Sequence, residues 1–572
     1  MTGSLGPATV NSLWLANAWP ESRRFHAATR DPAAAQSGVL AAILRRNATT
    51  EYGRRHGFEG ITSPAAYQDR VPVAQHDDLA ADIHRMAAGK QGVLTAEAVT
   101  LFEPTGGSTA GTKLIPYTPS LSAEFQRGLA PWICDLFACQ PDLLRGPAYW
   151  SVTPLTGEAQ RTSAGIPIGF AADSAYLGPL GGLLAQILAV PNAVKRIQDL
   201  DAFRYTTLLF LLKCRALRLI SVWNPTFLSL LLDPLPAWWD MLVADIAGGT
   251  LSPPAPIPSD LHAALSKRLR PDRTRSEALA ELGCLSLSAR LEAVWPHLGL
   301  ISCWADGPAA RALPVLKAVL PRVAIQGKGL LATEAFVSLP LHNVDGAVPA
   351  LRSHFLEFMD VDGTPSLISD IVPGQSYEVM VTTGGGLYRY SLRDRVEVVG
   401  TYNATPCLRF LGKTDRVSDW FGEKLDEAFV AQVLDDVLAR HGIHAQFVLL
   451  APTERAGGIG YTLFLEPSLP ESVSGPPGPA QSSVQAQSSL LAQSILGDLD
   501  ESLGRNFHYA YCRRLGQLHD PELVLVQGGA QTFLDACRRR GQRLGNIKAP
   551  ALDADLGWRE RFAAGPQRAG IW

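Results

Sequence analysis

The sequence predicts an α/β protein on three observations. Short β-branched apolar runs alternate with helix-spaced segments, without a long stretch of either. Turn formers are plentiful, with 41 prolines and 51 glycines spread along the chain. Hydrophobic residues make up 47% and charged residues 18% of the 572 positions, enough for a large core and too apolar for global disorder. At roughly 100–200 residues per domain, this length suggests two to four structural units. Lysine and arginine number 51 against 54 acids, a net charge of −3, which argues against a nucleic-acid partner held through phosphate contacts.

The elements follow in order. The opening MTGSLGPATVNSLWLANAWP has neither a basic start nor a sustained apolar stretch, so no signal peptide is expected there. Residues 34–46 read as an amphipathic helix, and 121–139 read as helical again. The stretch 68–99 mixes short apolar steps with charges and ends in Val93-Leu94-Thr95. Residues 203–213 read as a buried helix or a buried strand, which periodicity does not separate. Within them Leu208–Leu212 is followed by Lys213 and Arg215, well short of a membrane span. Leu219-Ile-Ser-Val-Trp223 reads as a buried strand halted by Asn224-Pro225. Residues 321–340 and 376–382 also read as strands. The tract 467–489, rich in Pro, Ser, Gly and Gln, is too polar to pack and is expected as a flexible insertion, with apolar patterning resuming at Leu490. The eight cysteines are scattered without CxxC or zinc spacing and are expected as reduced, buried thiols.

Chemistry is concentrated in four segments. Glu103-Pro-Thr-Gly-Gly-Ser-Thr-Ala-Gly-Thr-Lys113 holds an unbroken small-residue run from Thr105 to Thr112. Glycines let a backbone approach phosphate, and hydroxyls with free N–H groups bind its oxygens. Gly106 and Gly111 have Walker A spacing, but Thr112-Lys113 reverses the Lys-Ser/Thr order and a β-like KLIPY follows where a helix is required. A different phosphate loop, or simply a Gly-rich turn, remains. Thr333-Glu334 closes an apolar run, as a carboxylate for Mg²⁺ beside phosphates or as a helix cap. Asp394 comes after an aromatic-basic strand, Gly384–Tyr390, and is placed to accept from a ribose diol or to pair with Arg389 or Arg393. Finally Gly412–Arg416 and Trp420–Lys424 form a charged stretch suited to bridging two domains.

Taken in order, these segments resemble the bacterial branch of the GH3 acyl-acid amido synthetases, within the acyl-adenylate-forming superfamily. The resemblance runs from Val71-Pro-Val73 through Ile83–Gly89, Val93–Thr95, Thr105–Lys113, Ser221–Leu228, Leu331–Glu334 and Tyr388–Asp394 to Gly422–Lys424, then thins. It implies the acyl-adenylate-forming fold: a large N-terminal multi-sheet domain, 1–415, and a smaller mobile C-terminal α/β domain, 416–572, carrying the 467–489 insertion. It implies that Thr105, Gly106, Gly107, Ser108 and Thr109 cradle the ATP phosphates. Thr333 and Glu334 would contact AMP and Mg²⁺, Asp394 the ribose, Arg416 the nucleotide near a hinge, and Lys548 the reacting carboxylate and phosphate. Ala335 and Arg393 stand where glycines are usual, and Ala551 where arginine is usual. The acyl pocket is expected in the large domain near Trp223.

The expected function is ATP-dependent joining of a carboxylic acid to an amine, with release of AMP and pyrophosphate. Thioester formation with coenzyme A and a nucleotide-binding scaffold without turnover are the alternatives. A cytoplasmic monomer without nucleic-acid or membrane partners is expected. His76, His84, His354 and His441 read as surface or packing residues, Trp238-Trp239 as core, and Arg538–Arg540 as a solvated helix end. Replacing Ser108 and Thr109 by Ala should weaken ATP use, each lost charge-assisted hydrogen bond costing about 1.5–3 kcal/mol. Unchanged ATP kinetics in the folded double variant would remove this loop from the site.

Overall fold

A computed structural model describes residues 6–106, 112–150, 160–169, 181–414, 417–455, 458–468, 481–540, 542 and 547–564. The chain forms two compact units, one of Met1–Trp223, Leu231–Ala305 and Val319–Phe410, the other of Asn224–Leu230, Asp306–Ala318 and Leu411–Trp572.

The first unit holds three larger sheets. In one, Ala148–Trp150, Leu219–Ser221, Leu300–Cys303 and Ala324–Gly327 lie side by side, all parallel. Leu219–Ser221 and Leu300–Cys303 are buried at every position. Burial on both faces is why parallel strands read as apolar runs without alternation. The helix Leu200–Lys213 is buried almost all round, which explains why periodicity left its type open; Asp199 caps it by accepting from the Ala202 N–H at 2.8 Å. The other helical readings hold, as Pro32–Asn47 and Pro119–Cys139. The latter starts with Pro119 in its first turn and Thr118 accepting from the Leu121 N–H at 3.1 Å. Residues 321–340 are only partly strand, limited to Ala324–Gly327 and Ser338–Leu339, because a tight turn occupies the stretch between them.

A second sheet orders Thr112–Tyr117, Leu101–Gly106, Pro167–Ile168 and Gln160–Arg161. A third orders Pro365–Leu367, Phe355–Met359, Ser376–Thr382, Tyr390–Tyr402 and Thr405–Lys413. Arg389 ties this third sheet to the N-terminal helices. Its Nε donates to Glu357 Oε1 at 3.1 Å, and its Nη1 donates to the carbonyls of Gln68 and Val71 at 2.9 and 2.8 Å. Both members of the ion pair are buried.

The second unit is built on the sheet Ala445–Arg455, Gly458–Pro467 and Leu518–Leu525. Alternation along its first strand feeds two faces. Val448 and Leu450 pack with Val430, Leu434 and Leu499, whereas Phe447, Leu449 and Ala451 join the cluster of Phe533 and Trp558. The polar tract departs from expectation, because the helix Gln481–Leu503 begins before Leu490. Its residues 469–480 lie outside the described residues. None of the eight cysteines forms a disulfide, but Cys139 and Cys284 are exposed and Cys214 is half-buried, a correction to the uniformly buried set expected. Among the described residues, no single helix is long and apolar enough to cross a membrane.

Removing one partner of a buried ion pair leaves the other charge desolvated and alone. Arg389→Met should therefore destabilise the first unit by about 3–5 kcal/mol in urea unfolding, and adding Glu357→Leu should recover part of that loss. A single-variant loss below about 1 kcal/mol would show that the pair is not holding the sheet to Gln68 and Val71.

Candidate active site

The site is built from local turns outward. Leu101–Gly106 and Thr112–Tyr117 pair antiparallel, with Thr105 opposite Lys113 and Gly106 opposite Thr112. Strand, short connection and strand replace the strand-loop-helix of a Walker A motif. Gly107, Ser108 and Thr109 lie outside the described residues, as does Arg416.

Thr333 and Glu334 occupy the tip of a tight turn. Leu331 bridges Phe336, and the Ala332 N–H donates to the Ala335 carbonyl at 3.0 Å. Two long-range bonds fasten this turn. Tyr117, from the strand after the small-residue run, donates its hydroxyl to the Thr333 carbonyl at 2.6 Å. The Phe336 N–H donates to His354 Nε2 at 3.0 Å. That bond requires Nε2 to be an acceptor, so Nδ1 carries the proton and donates to Glu124 Oε2 at 2.9 Å. Glu124 also accepts from the Gly384 N–H at 2.9 Å, and a Cβ at Gly384 would lie 2.5 Å from Glu124 Oε1, so only glycine fits there. His354, expected as a surface or packing residue, is part of a buried network that positions the turn. Its partner Glu124 lies 230 positions away, a distance at which sequence carries no signal.

Asp394 is set by a bulge. Across Ser376–Thr382 and Tyr390–Tyr402 the register passes from Glu378–Arg395 to Met380–Ser391, so the longer strand accommodates two extra residues. Such bulges bend a strand and re-aim its side chains. Within the bulge Arg393 has φ 58°, and Asp394 beside it is buried. Asp394 thus lies inside a strand and not after one, and buried Arg389 pairs with Glu357. The segment before helix His76–Ala87 joins the same strand, since the Ala74 N–H donates to the Arg389 carbonyl at 3.1 Å and the Ser391 N–H donates to the Ala74 carbonyl at 2.9 Å.

Tyr390 reports what these turns bring together. Its phenol is pushed well up, first by burial and then by the charges of Glu334, Asp77 and Asp394, with Arg393 acting in opposition. Glu334 and Asp394, 60 positions apart in sequence, therefore act on one hydroxyl. Among the described residues, no three His, Cys, Asp or Glu side chains gather as a metal cluster. The half-buried Glu334 still suits Mg²⁺, which is commonly held by one or two carboxylates together with substrate phosphates.

The remaining positions fall elsewhere. Trp223 packs against Trp304 in the first unit, with ring centroids 5.6 Å apart. Lys548 belongs to the second unit, half-buried beside Ile547, whose carbonyl accepts from Asn224 Nδ2 at 3.3 Å. Ala551 is fully buried in that unit's core, its N–H donating to Glu427 Oε1 at 3.3 Å.

Architecture of this kind is shared with acyl-adenylate-forming enzymes. The structure of AtGH3.15 acyl acid amido synthetase in complex with 2,4-DB aligns with a TM-score of 0.82 at 20% identity, over 99% of this chain and 97% of that one. A 2-hydroxyisobutyryl-CoA ligase aligns at 0.50 and 12% identity, over 92% and 90%. Residues 21–325 match the GH3 family N-terminal domain, 347–413 the central domain and 430–555 the C-terminal domain. The chain belongs to the GH3 family. The probable indole-3-acetic acid-amido synthetase GH3.2 of Oryza sativa subsp. japonica is 26% identical over 561 residues, 91% of this chain and 88% of that one. The indole-3-acetic acid-amido synthetase GH3.3 of Arabidopsis thaliana is 24% identical, over 91% and 89%.

A side chain held at φ 58° is strained, because the left-handed region brings Cβ close to the carbonyl oxygen. Comparing Arg393→Gly with Arg393→Ala isolates that strain, since both variants lose the guanidinium. The glycine variant should be more stable by about 1 kcal/mol, read as a higher denaturant midpoint. Equal midpoints would mean that the bulge relaxes when the arginine is removed.

Proposed function

We propose that this chain activates a carboxylic acid as its acyl-adenylate at the Thr333–Glu334 and Asp394 site and passes the acyl group to an amine, with an amino acid as the acceptor. The observation that carries the reading is the match of this chain to all three GH3 domains, within which the Thr333–Glu334 turn is held by the Tyr117 hydroxyl. The chain is an ATP-dependent, amide-forming ligase of the adenylate-forming class. Its relatives are named as amido synthetases, which favours amide over thioester formation.

The chemistry explains the residue types. A carboxylate is a poor acyl donor because oxide leaves poorly. Its attack on the α-phosphorus of ATP expels pyrophosphate and gives a mixed anhydride, from which AMP departs readily when the amine attacks. The Thr105–Thr109 run offers backbone N–H groups and hydroxyls to phosphate oxygens. Thr333 lies on a turn whose backbone is held by Tyr117, so it contacts the nucleotide without reorganising. Asp394, buried and fixed by the bulge, accepts from the ribose hydroxyls, and Arg416 contacts the nucleotide beside the hinge. When bound, Mg²⁺ at Glu334 neutralises charge developing on the phosphates. Residues from about 416 onward form the smaller moving domain that carries Lys548 to the reacting carboxylate for the first half-reaction.

Acid-dependent pyrophosphate exchange across a carboxylic acid panel tests activation, and amide yield against coenzyme A thioester yield tests the acceptor. Asp394→Asn should raise the ATP requirement without altering which acid is preferred, and Glu334→Gln should make activity demand more Mg²⁺. A shift in acid preference at saturating ATP would displace either residue from its role. Lys548→Ala should slow acid activation by roughly a hundredfold or more, yet still convert a supplied acyl-adenylate to amide. Equal loss of both half-reactions would remove Lys548 from an adenylation-specific role, and no loss in either would transfer attention to Lys424.

A further inference from the structure

The carboxyl edge of the parallel sheet carries an arrangement that a purely structural core has no reason to hold. Open α/β sheets bind ligands outside the carboxyl ends of their strands. Here Trp150, Ser221, Ser302 and Gln326 stand in register across the four strands, at or next to each strand's last residue. Two of these side chains, Ser221 and Ser302, interrupt strands that burial at every position would otherwise keep apolar. Ser302 is fully buried, and its Oγ finds no hydrogen-bond partner among the described residues. One residue beyond the last strand, buried Lys328 donates from Nζ to Ser221 Oγ at 2.7 Å.

Three indoles surround that ammonium, their centroids lying 5.0 Å (Trp132), 5.7 Å (Trp150) and 5.5 Å (Trp223) from Nζ. Each is within cation–π range. The ring of Trp132 is fixed by its own N–H donating to Gln326 Oε1 at 2.9 Å. No carboxylate pairs with Lys328 among the described residues. Burying a cation this way is costly, and burial pushes the Lys328 ammonium down to about 7. An anion or oxygen acceptor arriving between the indoles would offset that cost, and flat indole faces select a flat partner. Lys328 also precedes Glu334 by only six positions, on the chain that leads into the adenylation turn.

We propose that Lys328, with Ser221 and Ser302, forms the polar end of the acyl-acid pocket and recognises an oxygen acceptor on the acyl portion of a planar, aromatic carboxylic acid. This rests on the amide-synthetase reading and adds the residues that discriminate among acyl acids. Lys328 is a specificity residue, binding the substrate away from the carboxylate that reacts.

Pyrophosphate exchange with benzoate, its hydroxy derivatives and the benzenedicarboxylates separates the two levels. Exchange with benzoate alone, without preference for an oxygen-bearing ring, would keep the activation reading and overturn this one; no exchange with any acid would end both. The expected result is a preference of roughly tenfold or more for one oxygen-bearing acid, lost in Lys328→Met at unchanged ATP KM. Equal loss for all acids would assign Lys328 to the reacting carboxylate or to stability, and would overturn the proposal. A second measurement needs no variant. Cys303 is the titratable group that acts on Lys328, and burial pushes its thiol up to about 11, so it stays neutral between pH 6 and 9. The ammonium is present below about pH 7 and is lost as pH rises through that value. The kcat/KM ratio of the preferred oxygen-bearing acid to benzoate should therefore fall across that range, and a flat ratio would overturn the proposal.

Discussion

The first unit depends on one buried charge. Arg389 has φ 45°, an unfavourable backbone for a side chain, and its Nε and Nη1 donate to Glu357 and to the carbonyls of Gln68 and Val71. Its own N–H donates to Thr382 Oγ1, which also meets the Tyr67 hydroxyl at 2.8 Å. One side chain thereby joins the third sheet, the N-terminal helices and the start of the strand bearing Asp394. Such a pair adds little net stability against an apolar replacement, but it fixes which neighbours meet. Its donors match those carbonyls and that carboxylate only in this register, and Asp394 follows five positions later.

A second polar network works the same way on the other carboxylate. Glu124 takes the Gly384 N–H and the His354 ring, His354 takes the Phe336 N–H, and the Thr333–Glu334 turn is pinned from behind. Tyr117 pins it from the side. A fully satisfied buried network of this kind rigidifies what it touches, whereas a partly satisfied one would be a liability. The candidate site thus has two rigid anchors, a bulge for Asp394 and a braced turn for Glu334, which lie 60 positions apart in sequence.

Legibility in the sequence follows the range of the forces involved. Amphipathic helices such as Pro32–Asn47 and the strand Ser376–Thr382 were readable, because their periodicity or run length is local. The strand after the small-residue run was readable from Leu114-Ile115-Pro116-Tyr117, and it separated the loop from Walker A. Helix Leu200–Lys213 stayed ambiguous because nearly every residue is buried, which erases the period. The bulge at Asp394 was hidden because an arginine at positive φ runs against propensity. Glu124–His354 and the Lys328 indole ring are assembled from segments hundreds of positions apart, and only the polar interruptions Ser221, Ser302 and Gln326 hint at the latter.

The three departures from the family pattern have physical explanations that do not require a lost site. Arg393 takes the left-handed backbone that a glycine takes readily, so the bulge forms at the expense of strain. Ala335 is fully buried and keeps a negative φ, so a methyl group fits at the base of the turn without disturbing its closing bond to Ala332. Ala551 sits inside the core of the second unit, where its carbonyl accepts from the Leu450 N–H at 2.9 Å and its neighbours are Leu450, Leu463 and Leu552. A guanidinium there would have to be buried without an evident outlet, so alanine suits this packing better than arginine. Each change is therefore absorbed where it occurs, and none removes Glu334 from its braced turn or Asp394 from its bulge.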